Sequence, residues 1–334
     1  MGFGPARVCA GAVRGRVLTP LPPLPETPLL SVIVPSYNQG AYIRQTLESV
    51  FSQEWPRVEL IVIDGGSTDD TIDVLKRIAP CDGFCWISEP DDGVVDAVNK
   101  GFRMAQGDIV AVQSSDDFYL ENAFSSIVDA FRLHPRAALI YGDAVKIDAI
   151  GTELTRRVGP PYSLERFLLC ECAIPQPAAF FRREVLAEIG DWDPDLPYTP
   201  DTDLWLRIGL RYDVVKLDQF LATRRMHEEQ RDRQCAAIVR DYGKMLEKSE
   251  GLRTVEPRIR RAAAAGRHLI QIRYNVRGTN MAKVFHILSA ARYRPDRIRW
   301  AGLWRHLVYF PLHRLGSSAK KAMQRLQSSE KEES

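Results

Sequence analysis

Between residues 30 and 112 short apolar runs alternate with stretches of helical apolar spacing, and this alternation limits the folds open to the chain. Leu30-Ser31-Val32-Ile33-Val34 and Leu60-Ile61-Val62-Ile63 read as buried strands, and the run Phe84 to Ser88 and Ile109-Val110-Ala111-Val112 as a third and a fourth strand. Between them, Gly40 to Phe51, a segment from Ser67 or Thr68 to Ala79, and Val94 to Ala105 carry apolar residues at helical spacing. Ser67 or Thr68 is the expected N-cap of the second helix, with Asp69 and Asp70 at the positive end of its dipole. Strand, helix, strand with short connections predicts a parallel sheet covered on both faces. In such sheets ligands bind beyond the carboxyl ends of the strands.

Polar residues gather at those ends. Pro35-Ser36-Tyr37-Asn38 follows the first strand, Asp64-Gly65-Gly66-Ser67 the second, Glu89-Pro90-Asp91-Asp92-Gly93 the third and Ser114-Ser115-Asp116-Asp117 the fourth. One acidic turn means little, since a strand-to-helix turn often wants Asp and Gly. Several on one sheet edge make a site. Adjacent carboxylates such as Asp116 and Asp117 repel unless a cation or helix terminus offsets them, which points to a hard divalent ion, Mg²⁺ or Mn²⁺. The structural alternative is that Asp117 caps a helix starting at Asn122. Downstream, helices are expected at 121–133, 163–169, 183–189 and 201–211, extended segments at 138–148, 178–182 and 214–224, and a mainly helical pattern after about residue 230.

Taken in order, these blocks resemble the family 2 glycosyltransferases of the GT-A fold, close to the bacterial cell-surface polysaccharide branch. The resemblance runs over about residues 30–230 and rests on Ser31 to Asn38, Ile63 to Thr71, Ser88 to Gly93, Asp96 to Gly101 and Ser114 to Asp117. Gln176-Pro177, Phe180-Phe181, Asp201 to Arg207 and Arg225-Met226-His227 continue it. It implies an α/β GT-A fold with a mixed, mainly parallel central sheet: a Pro-rich leader at 1–28, a glycosyltransferase domain at 29–230 with donor half 29–120 and acceptor half 121–230, and a helical basic extension at 231–334. The implied reaction moves a hexose-type residue from a nucleoside diphosphate sugar, UDP slightly favoured, to a hydroxyl of a saccharide or lipid-linked saccharide with inversion.

The resemblance also assigns positions. Pro35, Tyr37, Asn38, Asp64, Gly66, Asp92, Asp96, Lys100, Ser115 and Asp116 would bind the donor, with Asp64 on base or ribose and Lys100 on ribose or diphosphate. Asp116 matches the last carboxylate of the metal-binding D-x-D motif, whose first is replaced by Ser114, and His227 is a second metal candidate. Gly65 stands where a second acid is common. Asp201 is the expected general base, because an in-line displacement needs a carboxylate facing the pocket. Asp203 is the rival, although it stands one turn from Arg207 for an i,i+4 pair.

Other classes are less well served. A nucleotidyltransferase would show a Gly-rich phosphate loop after the first strand, and none occurs. A non-catalytic nucleotide-sugar-binding or scaffold protein stays open as the alternative. The six cysteines lack the paired spacing of a zinc site. Residues 251–334 hold 18 Lys and Arg against 5 Asp and Glu, while the remainder holds 27 against 38. That asymmetry, with Arg and Trp interleaved at 295–315, fits either a helix in the interface of an anionic membrane or one packed on the acidic body. No nucleic-acid reader is recognisable. A cytoplasmic location, with the tail at the inner face of the cell membrane, is the matching expectation.

Overall fold

The computed structural model describes residues 20–78, 82–227, 234–274 and 280–297. Eight strands form one sheet: β1 (Leu30–Ser36), β2 (Val58–Asp64), β3 (Phe84–Ser88), β4 (Ile109–Val112), β5 (Ala137–Ile147), β6 (Glu153–Thr155), β7 (Ala179–Arg182) and β8 (Asp213–Arg225). The order is β3-β2-β1-β4-β7-β5-β6, with β8 paired to β5. β1, β2, β3 and β4 are mutually parallel, as are β5 and β8, and β7 runs antiparallel to both β4 and β5. The mixed, mainly parallel GT-A sheet is therefore present. β6 is a three-residue strand that the sequence pattern does not announce, because all of its side chains are exposed.

Eleven helices are described: α1 (Ile43–Phe51), α2 (Thr71–Ile78), α3 (Val94–Met104), α4 (Ala123–Leu133), α5 (Leu164–Leu168), α6 (Leu186–Ile189), α7 (Pro200–Arg211), α8 (Cys235–Lys248), α9 (Gly251–Thr254), α10 (Pro257–Arg273) and α11 (Asn280–Tyr293). The period of two along the strands sorts the core into two layers. Val32, Val34, Leu60 and Val62 pack beneath α1, α2 and α4, whereas Ile33, Ile61 and Ile63 pack beneath α3, α5 and α7.

The second layer does not stop at residue 230. Val239, Tyr242 and Met245 of α8 and Ile259, Ala262 and Ala265 of α10 belong to the same buried cluster as Leu204 and Trp205 of α7. At Gly266 the approach is so close that a Cβ would stand 1.8 Å from the carbonyl oxygen of Leu168. The expected boundary at 231 thus falls inside a shared core, because α8 and α10 carry their own apolar faces and need a surface to cover. Beyond residue 297 the basic tail lies outside the described residues, and with it all but the first three positions of 295–315.

Candidate active site

The loops at the carboxyl ends of β1, β2, β3 and β4 open on one cleft of about 1890 Å³. The first two loops are laced together. Asn38 adopts the left-handed conformation (φ 53°) that Asn tolerates better than most side chains. Its N–H donates to Ser67 Oγ at 2.7 Å, and its Oδ1 accepts the Thr68 N–H at 2.9 Å. Thr71 Oγ1 and Asp69 Oδ2 accept the backbone N–H groups of Gln39 and Gly40, each at 2.9 Å. Pro35, Tyr37 and Asn38 are thereby presented to the cleft, with Tyr37 well exposed.

Asp64 behaves differently from its sequence expectation. Its carboxylate is fully buried and accepts Gly66 N–H at 3.1 Å, Ser67 N–H at 2.9 Å, Ser67 Oγ–H, and Ser88 Oγ–H at 2.8 Å. With its oxygens so engaged, Asp64 holds the second loop against β3 and, like Gly66, does not line the cleft. Ser67 is correspondingly no helix cap. The helix starts at Thr71, whose N–H is accepted by Asp69 Oδ1 at 3.0 Å.

The carboxylate that reaches the cleft here is Asp91, which the sequence reading passed over in favour of Asp92. Its oxygens would stand 2.9 and 3.0 Å from a Cβ at position 65, so the glycine that replaces the common second acid makes room for Asp91. Asp92 and Asp96 also line the cleft. Lys100 does not: its ammonium is drawn to Glu89 at 2.9 Å and Asp96 at 3.1 Å. The expected point charge over the diphosphate is thus committed to two carboxylates.

In the fourth loop, Ser115 and Asp116 line the cleft, and Ser114 Oγ donates to Gln176 Oε1 at 3.1 Å. Asp117 does not cap the helix at Asn122. Its Oδ1 accepts the Arg225 N–H at 2.6 Å, and burial followed by the charge of Asp116 pushes its carboxyl well above the usual range. Asp116 Oδ2 stands 2.9 Å from His227 Nε2 at the end of β8.

This pair is fixed by Arg225, whose structural task the sequence did not reveal. The side chain is almost fully buried and donates to Asp116 O at 2.8 Å, Ala149 O at 3.0 Å and Gln45 Oε1 at 2.6 Å. Its guanidinium lies 4.8 Å from the centre of the Tyr42 ring, and that ring lies 5.4 Å from the imidazole of His227. One arginine thus sets both the Asp116 backbone and the surroundings of His227.

Across the cleft, α7 begins with Pro200, and Asp201 in its first turn faces the cleft. Burial raises the Asp201 carboxyl above its ordinary value, partly offset by the Thr202 N–H and by Arg224. Asp203 turns away and pairs with Arg207 at 2.7 Å, as its i,i+4 spacing predicts. Arg207 also donates to Gly190 O at 2.9 Å and Asp191 O at 2.7 Å. Asn99 of α3 bridges to this half through both backbone groups of Trp192, at 2.9 and 3.0 Å.

An α/β sheet of this order, with an acidic cleft at the carboxyl ends of its first strands, is that of the GT-A fold. The fold matches residues 1–349 of S. aureus TarS in complex with UDP-GlcNAc, with a TM-score of 0.61 at 16% identity, covering 81% of this chain and 82% of that one. It also matches the mannosyltransferase PcManGT from Pyrobaculum calidifontis in complex with GDP-Man and Mn²⁺, with a TM-score of 0.60 at 17% identity over 94% and 86% of the two chains. At the sequence level an uncharacterised glycosyltransferase of Mycobacterium tuberculosis is 34% identical over 196 residues, 58% of this chain and 73% of its own. A PGL/p-HBAD biosynthesis glycosyltransferase of Mycobacterium bovis is 32% identical over 183 residues, 54% of this chain and 69% of its own. The model of glycosyl transferase family 2 matches residues 31–190, and the chain belongs to that family.

Proposed function

We propose that this glycosyltransferase moves a sugar from a nucleoside diphosphate sugar to a hydroxyl of a saccharide or lipid-linked saccharide, with inversion, in the assembly of a cell-surface polysaccharide. The observation that carries the reading is that Asp116, His227 and Asp201 line one cleft together with the loop 35–39. In the step proposed, the acceptor oxygen bonds to the anomeric carbon as the bond to the diphosphate breaks, and the hydroxyl proton passes to Asp201. The raised affinity of the Asp201 carboxyl for a proton suits that task. Pro35, Tyr37 and Asn38 would take the nucleoside, with Asp91, Asp92, Asp96 and Ser115 around the ribose and sugar.

A divalent cation fits the residues present. Among the described residues no group of three or more His, Cys, Asp or Glu could enclose a metal, so the protein offers only the Asp116 oxygen and the His227 nitrogen, 2.9 Å apart. Mg²⁺ and Mn²⁺ bound in this way complete their shells with water and substrate phosphates. Bound there, the ion would neutralise charge gathering on the departing diphosphate. Donor complexes of the two fold relatives, one with UDP-GlcNAc and one with GDP-Man and Mn²⁺, support a nucleotide sugar, and UDP donors are tested first.

No helix among the described residues is long and apolar enough to cross a membrane. A peripheral membrane contact is supported by the exposed Met281, Phe285 and Leu288 on one side of α11, the helix that precedes the basic tail in the sequence. The test of the whole reading is a panel of UDP-, GDP- and dTDP-sugars with Mn²⁺, Mg²⁺ or EDTA. The expected result is metal-dependent binding of one donor class, lost in Asp116→Ala and kept without turnover in Asp201→Asn. Folded protein that binds no nucleotide sugar under any of these conditions would replace the enzymatic step with a scaffold role.

A further inference from the structure

Charge is unevenly spread around the cleft. Asp91, Asp92, Asp96 and Asp116 line one side together with Arg103, whereas Lys146, Arg157, Arg224 and Arg273 line the side of Asp201 together with Asp143 and Glu171. These cations come from separate elements. Lys146 of β5 and Arg224 of β8 are register partners on neighbouring parallel strands, so their side chains leave the same face of the sheet. Arg157 follows β6, which is held beside β5 through the pairing of Thr155 with Lys146. Arg273 ends α10 and reaches the carbonyl of Cys170 at 3.5 Å.

Among the described residues lining the cleft on this side, these four cations stand with three carboxylates; Asp143 is taken up by Lys216 at 2.8 Å and by the Gly159 N–H at 2.9 Å, and Asp201 and Glu171 lie beside the cluster. Burial first, and then the like charges of Arg224, Arg273 and Arg157, hold the Lys146 ammonium below its ordinary value. Arginine forks and a lysine point charge match the geometry of phosphate oxygens, and a dianionic group answers this many cations better than a single carboxylate.

We propose that the acceptor carries a phosphate group close to the hydroxyl that is glycosylated, and that Lys146, Arg157, Arg224 and Arg273 form its binding site beside Asp201. This deepens the glycosyl-transfer reading and rests on it. The phosphate takes no part in bond making; it anchors the acceptor so that its hydroxyl meets Asp201.

The test uses the full chain with inorganic phosphate as probe, titrated calorimetrically in the absence and presence of saturating UDP or GDP. Phosphate is expected to bind with the nucleotide in place, and Lys146→Ala and Arg273→Ala are each expected to weaken it about tenfold. Both positions are exposed, so the variants keep their fold, which a parental melting temperature verifies. Transfer is then compared on an octyl hexoside, a hexose 1-phosphate and an alkyl diphosphohexose in detergent. The variants should raise KM about tenfold for the two phosphate-bearing acceptors, with kcat kept, and leave the neutral hexoside unaffected. Preference for the alkyl diphosphate places the phosphate in a lipid carrier; preference for the hexose 1-phosphate places it in a free acceptor. Phosphate binding that UDP or GDP displaces would assign the cluster to the donor diphosphate and overturn the proposal, as would parental phosphate affinity in both variants. Failure of UDP and GDP to bind at all would strike the donor reading instead, since phosphate binding is measured separately.

Discussion

Arg225→Lys keeps the positive charge at the end of β8 but removes the guanidinium fork. Arginine makes three well-formed side-chain hydrogen bonds there, at 2.6, 2.8 and 3.0 Å, from a position only 2% exposed. A single ammonium on a flexible stem can serve one of those acceptors, so two charge-assisted bonds are lost and their oxygens stay buried. At about 1.5–3 kcal/mol for each such bond, reduced by partial rearrangement, the expected destabilisation is about 2–4 kcal/mol. For a chain of this length that lowers Tm by about 3–6 °C. The same bonds hold the Asp116 backbone and the Tyr42 ring against His227, so their loss displaces the Asp116–His227 pair. A shift approaching 1 Å at such a pair costs about 100-fold in kcat/KM. Thermal melting and donor hydrolysis at saturating Mn²⁺ measure the two effects. A variant that melts within about 1 °C of the parent and hydrolyses donor at the parental rate would show that Arg225 is not the clamp.

Three further outcomes follow from the same geometry. Asp201→Asn should stop transfer while leaving Tm at or above the parent near neutral pH. Burial raises the folded-state value of Asp201, so its contribution to stability is complete below the unfolded value and is lost as pH rises through the raised one; the amide escapes that loss. A clear fall in Tm would show that the Asp201 charge is stabilising. In the parent, the acid limb of kcat/KM should lie above the ordinary 3.8 of an aspartate, because the base must be ionised, and a limb at or below that value removes Asp201 from the role. Gly266→Ala should lower Tm despite better helix propensity, since the new Cβ meets the Leu168 carbonyl at 1.8 Å, and overpacking of this kind costs about 1–3 kcal/mol; an unchanged Tm would mean that α10 does not press on α5.

Residues 30–112 were legible because their strands are short, mostly apolar and closed by turn residues, so periodicity and punctuation agree. Phe84–Ser88 and Ile109–Val112 have the bounds that the pattern predicts. The i,i+4 pair of Asp203 and Arg207 was equally readable, being local along one helix. Long-range bonds were not. Nothing in the spacing of the second loop says that Ser88, 24 residues away, would close over Asp64 and withdraw it from the cleft. The same is true of Asp117, whose partner is the backbone of a residue 108 positions on. The collision between Asp91 and any side chain at position 65 left one trace, the unusual Gly65, which could have pointed to Asp91. The packing of α8 and α10 into the common core was not legible, because composition sets the basic extension apart from the acidic body while their shared apolar faces go unreported by net charge.

These differences have a common physical origin in how the two halves of the cleft are built. Around the loops after β1, β2 and β4 the polar side chains are mostly spent on the protein itself: Asn38, Asp69 and Asp117 each satisfy a backbone N–H of another loop or strand, and Asp64 satisfies two of its own loop. Loops fixed in this way lose little entropy when a ligand arrives, so the donor side is preorganised and its residues recur as compact blocks in the sequence. On the acceptor side, the cations at 146, 157 and 273 are exposed and come from two strands' neighbourhood and a helix end, without a shared motif. A site assembled from such scattered charges has no local signature and gains its meaning only from the register of β5 and β8. If these cations hold the acceptor as proposed, single surface substitutions would change its specificity while leaving the laced loops after β1 and β2 intact, which is why the sequence announces the family far more clearly than the acceptor.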